Sequence, residues 1–116
     1  MSLAKKLNVK DGVKVHVVGK PAAVDLGDVV TTKSATAPAV LVFVKKLAAL
    51  DDECADVIEA ARQDRIAWVA YPKAGQLATD LNRDILRRQL ATHGIDSVRA
   101  ISLDDVWSAI RFRPES

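Results

Sequence analysis

Two short stretches of this chain are apolar at every position. Residues 39–44 read AVLVFV and residues 66–71 read IAWVAY. A strand that is apolar throughout is typical of one covered on both faces, as in a parallel sheet, whereas a half-exposed strand alternates apolar and polar residues. Both stretches are far shorter than the roughly 20 residues that span a bilayer. We therefore expect them to form the centre of a buried sheet.

A helical pattern follows each of these two strands. Between residues 47 and 61, apolar side chains recur every three or four positions with acidic residues between them, which predicts an amphipathic helix with an acidic first turn. A second apolar stripe predicts a helix from about Leu77 or Thr79 to His93, ended by Gly94. Thr79 is the residue expected to cap the N-terminus of this second helix.

Weaker patterns complete the predicted sheet. Residues 13–19 and 28–32 predict two N-terminal strands, and residues 98–103 and 106–112 predict a closing hairpin that turns at Asp104-Asp105. Only residues 33–38 join the second and third strands, so no crossover helix fits between them. We therefore expect one face of the N-terminal half of the sheet to be thinly covered.

The predicted fold class is α/β, as a single domain over residues 1–116. We expect a three-layer, mostly parallel, Rossmann-like sheet of about six strands, with a C-terminal antiparallel hairpin strand. The length of 116 residues, with 49% hydrophobic and 28% charged residues, suits one globular domain.

Composition also bears on partners and compartment. Seventeen basic against fifteen acidic residues leave a net charge of +2, and no aromatic residue lies among the N-terminal lysines, which argues against nucleic acid. The first residues lack the apolar stretch of a secretory signal, and the single cysteine, Cys54, allows no internal disulfide. These features predict a protein of the reducing cytoplasm without a membrane segment.

The blocks LAKKLNVKDGVKVHVVG, VFVKK, WVAYPK, TDLNRD and VWSAIRF follow one another along the chain. With these blocks in this order, the sequence resembles the bacterial domain-of-unknown-function 3052 family, over almost its whole length. The best markers are residues 68–73, residues 79–81 and Trp107-Ser108. Because that family has no established biochemical activity, the resemblance implies a fold more than a function.

A more distant, fold-level similarity is to class I methyltransferases, whose sheet ends in a reversed strand inserted between its two predecessors. Those enzymes hold their cofactor with a glycine-rich turn after the first strand and an acidic residue at the end of the second. Here the turn reads GKPAA at residues 19–23 and the second strand ends TTK at residues 31–33. Neither requirement is met, so we expect no S-adenosylmethionine and no other cofactor.

The carboxyl edge of the sheet is where a ligand site is expected, because open parallel sheets bind ligands beyond the carboxyl ends of their strands. A methyltransferase-like strand order would place the last strand beside the fourth and bring its first residues near Lys73. A lysine, an aromatic platform and a helix N-terminus can together receive a phosphate or carboxylate. The residues predicted to line this ligand site are Tyr71, Lys73, Thr79, Trp107 and Ser108. Other residues expected at this edge are Gly19, Lys20, Lys45, Lys46, Pro72, Asp104 and Asp105.

A purely structural interpretation explains the same residues. Pro72 ends the strand, Thr79 caps the helix, Trp107 packs against the sheet edge and Lys73 is solvated. Asp80 in the first helical turn would already occupy the positive end of the helix.

No catalytic or metal-binding set is visible in the sequence. The two histidines, His16 and His93, and Cys54 are scattered over three elements, without a paired nucleophile and base or a metal-ligand spacing.

Two functions fit the sequence. One is a non-catalytic interaction or regulatory module that acts through a protein partner or self-association. The other is a binder of a small anionic ligand, or an enzyme, with its site at the carboxyl edge. The absence of a catalytic pair favours the first.

Overall fold

The computed structural model describes residues 2–10 and 12–115. The elements, in chain order, are α1 (Leu3–Lys6), β1 (Lys14–Val18), β2 (Val30–Thr32), β3 (Ala39–Phe43), a 3-10 turn (Leu47–Ala49), α2 (Leu50–Glu53), α3 (Ala55–Arg62), β4 (Ile66–Pro72), α4 (Arg83–Ala91), β5 (Ile95–Ser102) and β6 (Trp107–Pro114). Among the described residues, no helix has both the length and the apolar character needed to cross a membrane.

The six strands form one mixed sheet in the order β2-β1-β3-β4-β6-β5. The pairs β1·β2, β1·β3 and β3·β4 are parallel, whereas β6 runs antiparallel to both β4 and β5. The α/β class, the number of strands and the reversed C-terminal strand are thus confirmed. The sheet is mixed rather than mostly parallel, because residues 103–106 are too few for the crossover that a parallel β5·β6 pair would need.

The helices α3 and α4 cover one face of the sheet, which we call the helix side. All five residues of β3 are buried, and β4 is buried from its second residue onward. Val57, Ile58, Leu86 and Leu90 from the helices pack there against side chains of the central strands. The sequence indicated that β3 and β4 are apolar throughout because both of their faces are covered, and the structure agrees.

The opposite face of the sheet is covered by the N-terminal segment instead of a full helical layer. Leu7 and Val9, which follow α1, and Val24 and Leu26, in the β1–β2 connection, pack against Trp68 and other side chains of the central strands. Helix α1 has four residues, and Ser2 caps it by accepting a hydrogen bond from the Lys5 N–H. The expected third layer is therefore a one-turn helix and a loop, because no crossover helix lies between β2 and β3.

The two predicted helices differ from the observed ones at their ends. The helix expected over residues 47–61 is divided into a 3-10 turn, α2 and α3, with Cys54 between α2 and α3 as the C-cap of α2. Helix α4 begins at Arg83, and its N-cap is Asn82, whose Oδ1 accepts a 2.8 Å hydrogen bond from the Ile85 N–H. The prediction that Thr79 caps this helix is wrong, because the Thr79 hydroxyl donates to the carbonyl oxygen of Lys45.

Candidate functional site

A cavity of about 430 Å³ opens at the carboxyl ends of β1 and β3. Its volume lies within the usual range for small-molecule sites, which are concave and mostly apolar with a few polar groups. The residues that line it come from β1 and its following turn, β3 and its following turn, the start of the helical region, and β6. They are Val18, Gly19, Phe43, Lys45, Lys46, Ala49, Glu53 and Trp107. We call this space the edge cavity.

Two aromatic rings form the apolar wall of the edge cavity. Phe43 ends β3 and Trp107 begins β6, and their ring centroids lie 5.1 Å apart with an interplanar angle of 78°. This edge-to-face arrangement is the favoured geometry for an aromatic pair. Because both side chains are only 3% exposed, their positions are set by the core. A ligand would therefore meet only the exposed edges of these two fixed rings.

Gly19 lets the chain turn closely past the end of β3. Its φ is +73°, a left-handed conformation that side chains other than glycine rarely adopt. A Cβ atom at this position would lie 3.0 Å from the carbonyl oxygen of Phe43. The glycine thus keeps the β1 turn tight against β3 and leaves the mouth of the edge cavity open.

The charged residues of the edge cavity are two lysines and one glutamate. The Lys46 ammonium donates a hydrogen bond to the carbonyl oxygen of Ala78 in the β4–α4 loop. The side chain of Lys45 has no hydrogen-bond or ion-pair partner within residues 2–10 and 12–115. Glu53, at the end of α2, is exposed and similarly lacks an ion-pair partner in that part of the chain. Lys45 is therefore available to meet an anionic group.

The β4–α4 loop holds the two lysines in place. The Thr79 hydroxyl donates a 2.6 Å hydrogen bond to the carbonyl oxygen of Lys45, and Oδ1 of Asp80 accepts a 2.9 Å hydrogen bond from the Leu47 N–H. Asp80 therefore lies against the segment after β3, rather than in the first turn of α4 as expected. The loop itself contains two consecutive left-handed residues, Leu77 and Ala78.

The structure separates the five residues predicted to line the ligand site. Trp107 lines the edge cavity, whereas Ser108, the next residue of β6, points to the helix side because side chains alternate along a strand. Ser108 lies opposite Tyr71 of β4 and Ser102 of β5, and the Lys73 ammonium donates a 2.8 Å hydrogen bond to the Ser102 hydroxyl.

Tyr71, Lys73 and Ser108 therefore form a second polar group, on the helix side. Burial raises the pKa of the Tyr71 hydroxyl. Thr79 belongs neither to the lining of the edge cavity nor to this polar group. Its hydroxyl bonds the backbone carbonyl oxygen of Lys45. A joint role of the five residues in ligand binding stays a prediction, and the expected neighbourhood of β6 and β4 is present.

Several residues of the edge cavity were not recognised from the sequence as site residues. Gly19, Lys45 and Lys46 were expected at the carboxyl edge but not joined with Trp107. Glu53 was assigned only to the helix dipole. The spacing KKLAALDDE, in which a lysine pair after a buried strand is followed by an acidic helix start, was the available signal.

Both histidines pair with carboxylates that the sequence did not place near them. Nε2 of His16 lies 2.9 Å from Oδ2 of Asp56, and its Nδ1 lies 3.3 Å from the carbonyl oxygen of Thr32. Nε2 of His93 lies 2.9 Å from Oδ1 of Asp51. Each pair joins elements distant in sequence, β1 to α3 and the end of α4 to α2. No residue of either pair lines the edge cavity.

The remaining candidate for chemistry is Cys54. Burial raises the pKa of its thiol to about 12, so the reactive thiolate is scarce at neutral pH. Within the described residues, no group of three or more His, Cys, Asp or Glu side chains is arranged to hold a metal ion.

In comparisons with known proteins, no family model matches the chain, and no curated protein matches it closely enough to count as a relative.

Proposed function

We propose that this chain is a non-catalytic regulatory module that binds a small ligand with an apolar ring and an anionic group. The observation that carries this proposal is the edge cavity. There the Phe43–Trp107 wall faces the same space as Lys45, whose side chain has no partner among the described residues. The location at the carboxyl edge agrees with the general position of ligand sites in open α/β sheets.

Each part of the edge cavity has a role in this proposal. The apolar part of the ligand packs on the partly exposed Val18 and Ala49 and on the small exposed edges of Phe43 and Trp107, and its phosphate or carboxylate group pairs with Lys45. Glu53 on the rim accepts a hydrogen bond from a hydroxyl or amino group of the ligand. Lys46, held by the Ala78 carbonyl, adds positive potential without moving.

Binding without chemistry is favoured by the composition of the lining. Glu53 is the one carboxylate among the eight lining residues, and the lining contains no serine, threonine, cysteine or histidine. The lining therefore lacks the usual pair of a hydroxyl or thiol nucleophile and a histidine base. An enzyme is therefore the second choice.

The resemblances stated from the sequence do not identify the ligand. The sheet has the order β2-β1-β3-β4-β6-β5, with β6 reversed between β4 and β5, and is mixed rather than mostly parallel and Rossmann-like. Membership of the domain-of-unknown-function 3052 family stays a proposal that depends on the sequence blocks alone. S-adenosylmethionine is disfavoured, since the β1 turn has one glycine and β2 ends at Thr32 without an acidic residue. The buried, unpaired Cys54 suits the proposed location in the reducing cytoplasm.

Thermal unfolding against a ligand panel tests this function. The panel contains inorganic phosphates, nucleotides, aromatic carboxylates and S-adenosyl compounds, with wild type, Lys45→Ala and Lys73→Ala compared. A ligand at 100 times its dissociation constant stabilises the fold by about 2.7 kcal/mol, which is a readable shift in Tm. We expect this shift to be lost in Lys45→Ala and kept in Lys73→Ala, whose ammonium bonds Ser102 outside the edge cavity.

The reverse pattern, with loss only in Lys73→Ala, would move the site to the polar group on the helix side. A panel that produces no shift in the wild type would refute the proposed ligand class.

A further inference from the structure

Strand β5 forms one edge of the sheet and pairs only with β6. It has eight residues, Ile95–Ser102, so it offers a long row of backbone N–H and C=O groups to solvent. The pairing register shifts between Ser97 and Arg99, and Val98 at this bulge is 54% exposed. An exposed edge of this kind is a template for a further strand.

Arginines flank the β5 edge on both faces of the sheet. On the helix side, a cavity of about 250 Å³ is lined by Arg83 and Arg87 of α4, by residues 97–100 of β5 and by Ile110. On the other side, Arg99 lies directly opposite Arg111 of β6. Among the described residues, the Arg111 Nε is buried without a hydrogen-bond partner.

Within the part of the chain that the structure describes, the arginines that flank β5 lie outside the ion pairs. Arg83, Arg87 and Arg99 form no ion pair with another described residue. Asp84 and Asp96 border a neighbouring groove with Arg87 but do not line the arginine cavity. Like charges directly opposite each other across two strands are destabilising, so an anionic partner would relieve this arrangement.

We propose that an acidic, extended segment of a partner protein adds to the sheet along β5. Side chains of an extended strand point alternately to the two faces. Carboxylates on one face of the segment would pair with Arg83 and Arg87, and those on the other face with Arg99. This surface is separate from the edge cavity, and the inference does not depend on the proposed ligand.

Two other occupants fit the surface less well. Two-fold pairing of β5 with the β5 of a second copy would bring the two arginine groups together, where they repel. Nucleic acid would find no stacking surface, because all five aromatic residues are buried. The residues in question are Phe43, Trp68, Tyr71, Trp107 and Phe112.

The test uses a fluorescent eight-residue peptide, matching the length of β5, with glutamates on both faces of its extended form and valine or threonine between them. Binding is measured by anisotropy at low ionic strength. We expect Arg83→Gln/Arg87→Gln to weaken binding roughly five- to thirtyfold. Arg88→Gln, on the same helix but outside the arginine cavity, should change it less than about twofold. Circular dichroism verifies that each variant is folded.

Two altered peptides separate strand addition from simple charge attraction. Replacing glutamates by glutamines should abolish binding, and N-methylation of alternate backbone amides should weaken it about tenfold by removing main-chain donors. Equal binding of the N-methylated peptide, or equal losses in Arg88→Gln and the double variant, would overturn the proposal. Self-association through β5, detected by sedimentation and removed by Arg99→Glu, would also overturn it. Tight binding of a single-stranded oligonucleotide, without binding of the peptide, would do the same.

Discussion

The indole Nε1 of Trp68 donates a 2.9 Å hydrogen bond to the carbonyl oxygen of Leu7, 61 positions earlier in the chain. Trp68 lies in the central strand β4, and Leu7 follows α1 on the face opposite α3 and α4. Both side chains are buried, at 1% and 0% exposure. This bond anchors the N-terminal segment to the sheet and closes the second face of the core.

Trp68→Phe should destabilise the fold by more than the loss of ring volume alone would cause. The substitution leaves the buried carbonyl oxygen of Leu7 without its donor, which costs about 1–3 kcal/mol in addition to the lost packing. Urea unfolding measures the free energy. Trp107→Phe is the control, because the Trp107 ring packs against Phe43. Equal losses in the two variants would show that the Leu7 bond contributes nothing beyond packing.

Gly19→Ala should cost more stability than Gly27→Ala. Both glycines have a positive φ, +73° and +59°, so alanine at either site carries a backbone cost of about 1–2 kcal/mol. At Gly19 the new Cβ also lies 3.0 Å from the Phe43 carbonyl oxygen, whereas nothing lies within 4 Å at Gly27. Thermal unfolding should rank the variants in this order. If Gly19→Ala were as stable as Gly27→Ala, the backbone of β3 at Phe43 would have to shift away from the new Cβ at little cost in free energy.

Cys54 should be protected from thiol reagents in the folded state. Burial raises the pKa of its thiol from 9.0 to about 12, so at pH 8 both access and thiolate are scarce. An Ellman assay should show reaction only after denaturant is added. The pKa of the Cys54 thiol is higher in the folded state than in the unfolded state. The stability that the protonated thiol contributes is therefore fully present below pH 9 and is lost as the pH rises from about 9 toward 12. Cys54→Ala, which cannot titrate, should show a smaller decline, because only groups such as Tyr71, whose pKa burial also raises, still contribute to it.

His93→Gln should raise the pKa of the Asp51 carboxyl. The hydrogen bond from His93, followed by that from Gln89, lowers this pKa below its ordinary value of 3.8. A lowered folded pKa means that the stabilisation is present above pH 3.8 and is lost as the pH falls through the folded pKa. The Asp51 side chain is 53% exposed, so the effect on stability is small. NMR titration of the Asp51 carboxyl carbon measures the shift.

Arg113→Gln is the matched control for the Asp51 titration, since it breaks a different surface pair, with Asp64. It should leave the Asp51 titration unchanged and raise the pKa of Asp64, which the Arg113 hydrogen bond lowers. An Asp51 titration that is the same in wild type and His93→Gln would contradict the role of the histidine.

Patterns within single elements were predictable from the sequence. Runs without polar residues identified β3 and β4 as central strands, because only strands covered on both faces carry no polar side chains. The short segment at Asp104-Asp105 identified the β5–β6 hairpin, because so few residues leave only an antiparallel return. The α/β class followed from alternating strand and helix periods.

Helix ends were less predictable, because a capping side chain has competing partners. Thr79 and Asn82 are both suitable N-caps by residue type. The Thr79 hydroxyl bonds the Lys45 carbonyl, 34 positions away, and this long-range contact leaves Asn82 to cap α4. Helix α1 was not recognised because four residues show no helical period.

The sequence by itself determined the class of the fold, its central strands and the edge of the sheet at which the lysines and Trp107 collect. Only the tertiary structure decided which of those groups share a cavity. Trp107 faces Phe43 and the lysines after β3, whereas its neighbour Ser108 faces Lys73's partner Ser102 on the helix side. The reason is physical: strand register and the alternation of side chains assign each residue to a face, and local sequence contains neither the partner strand nor its offset.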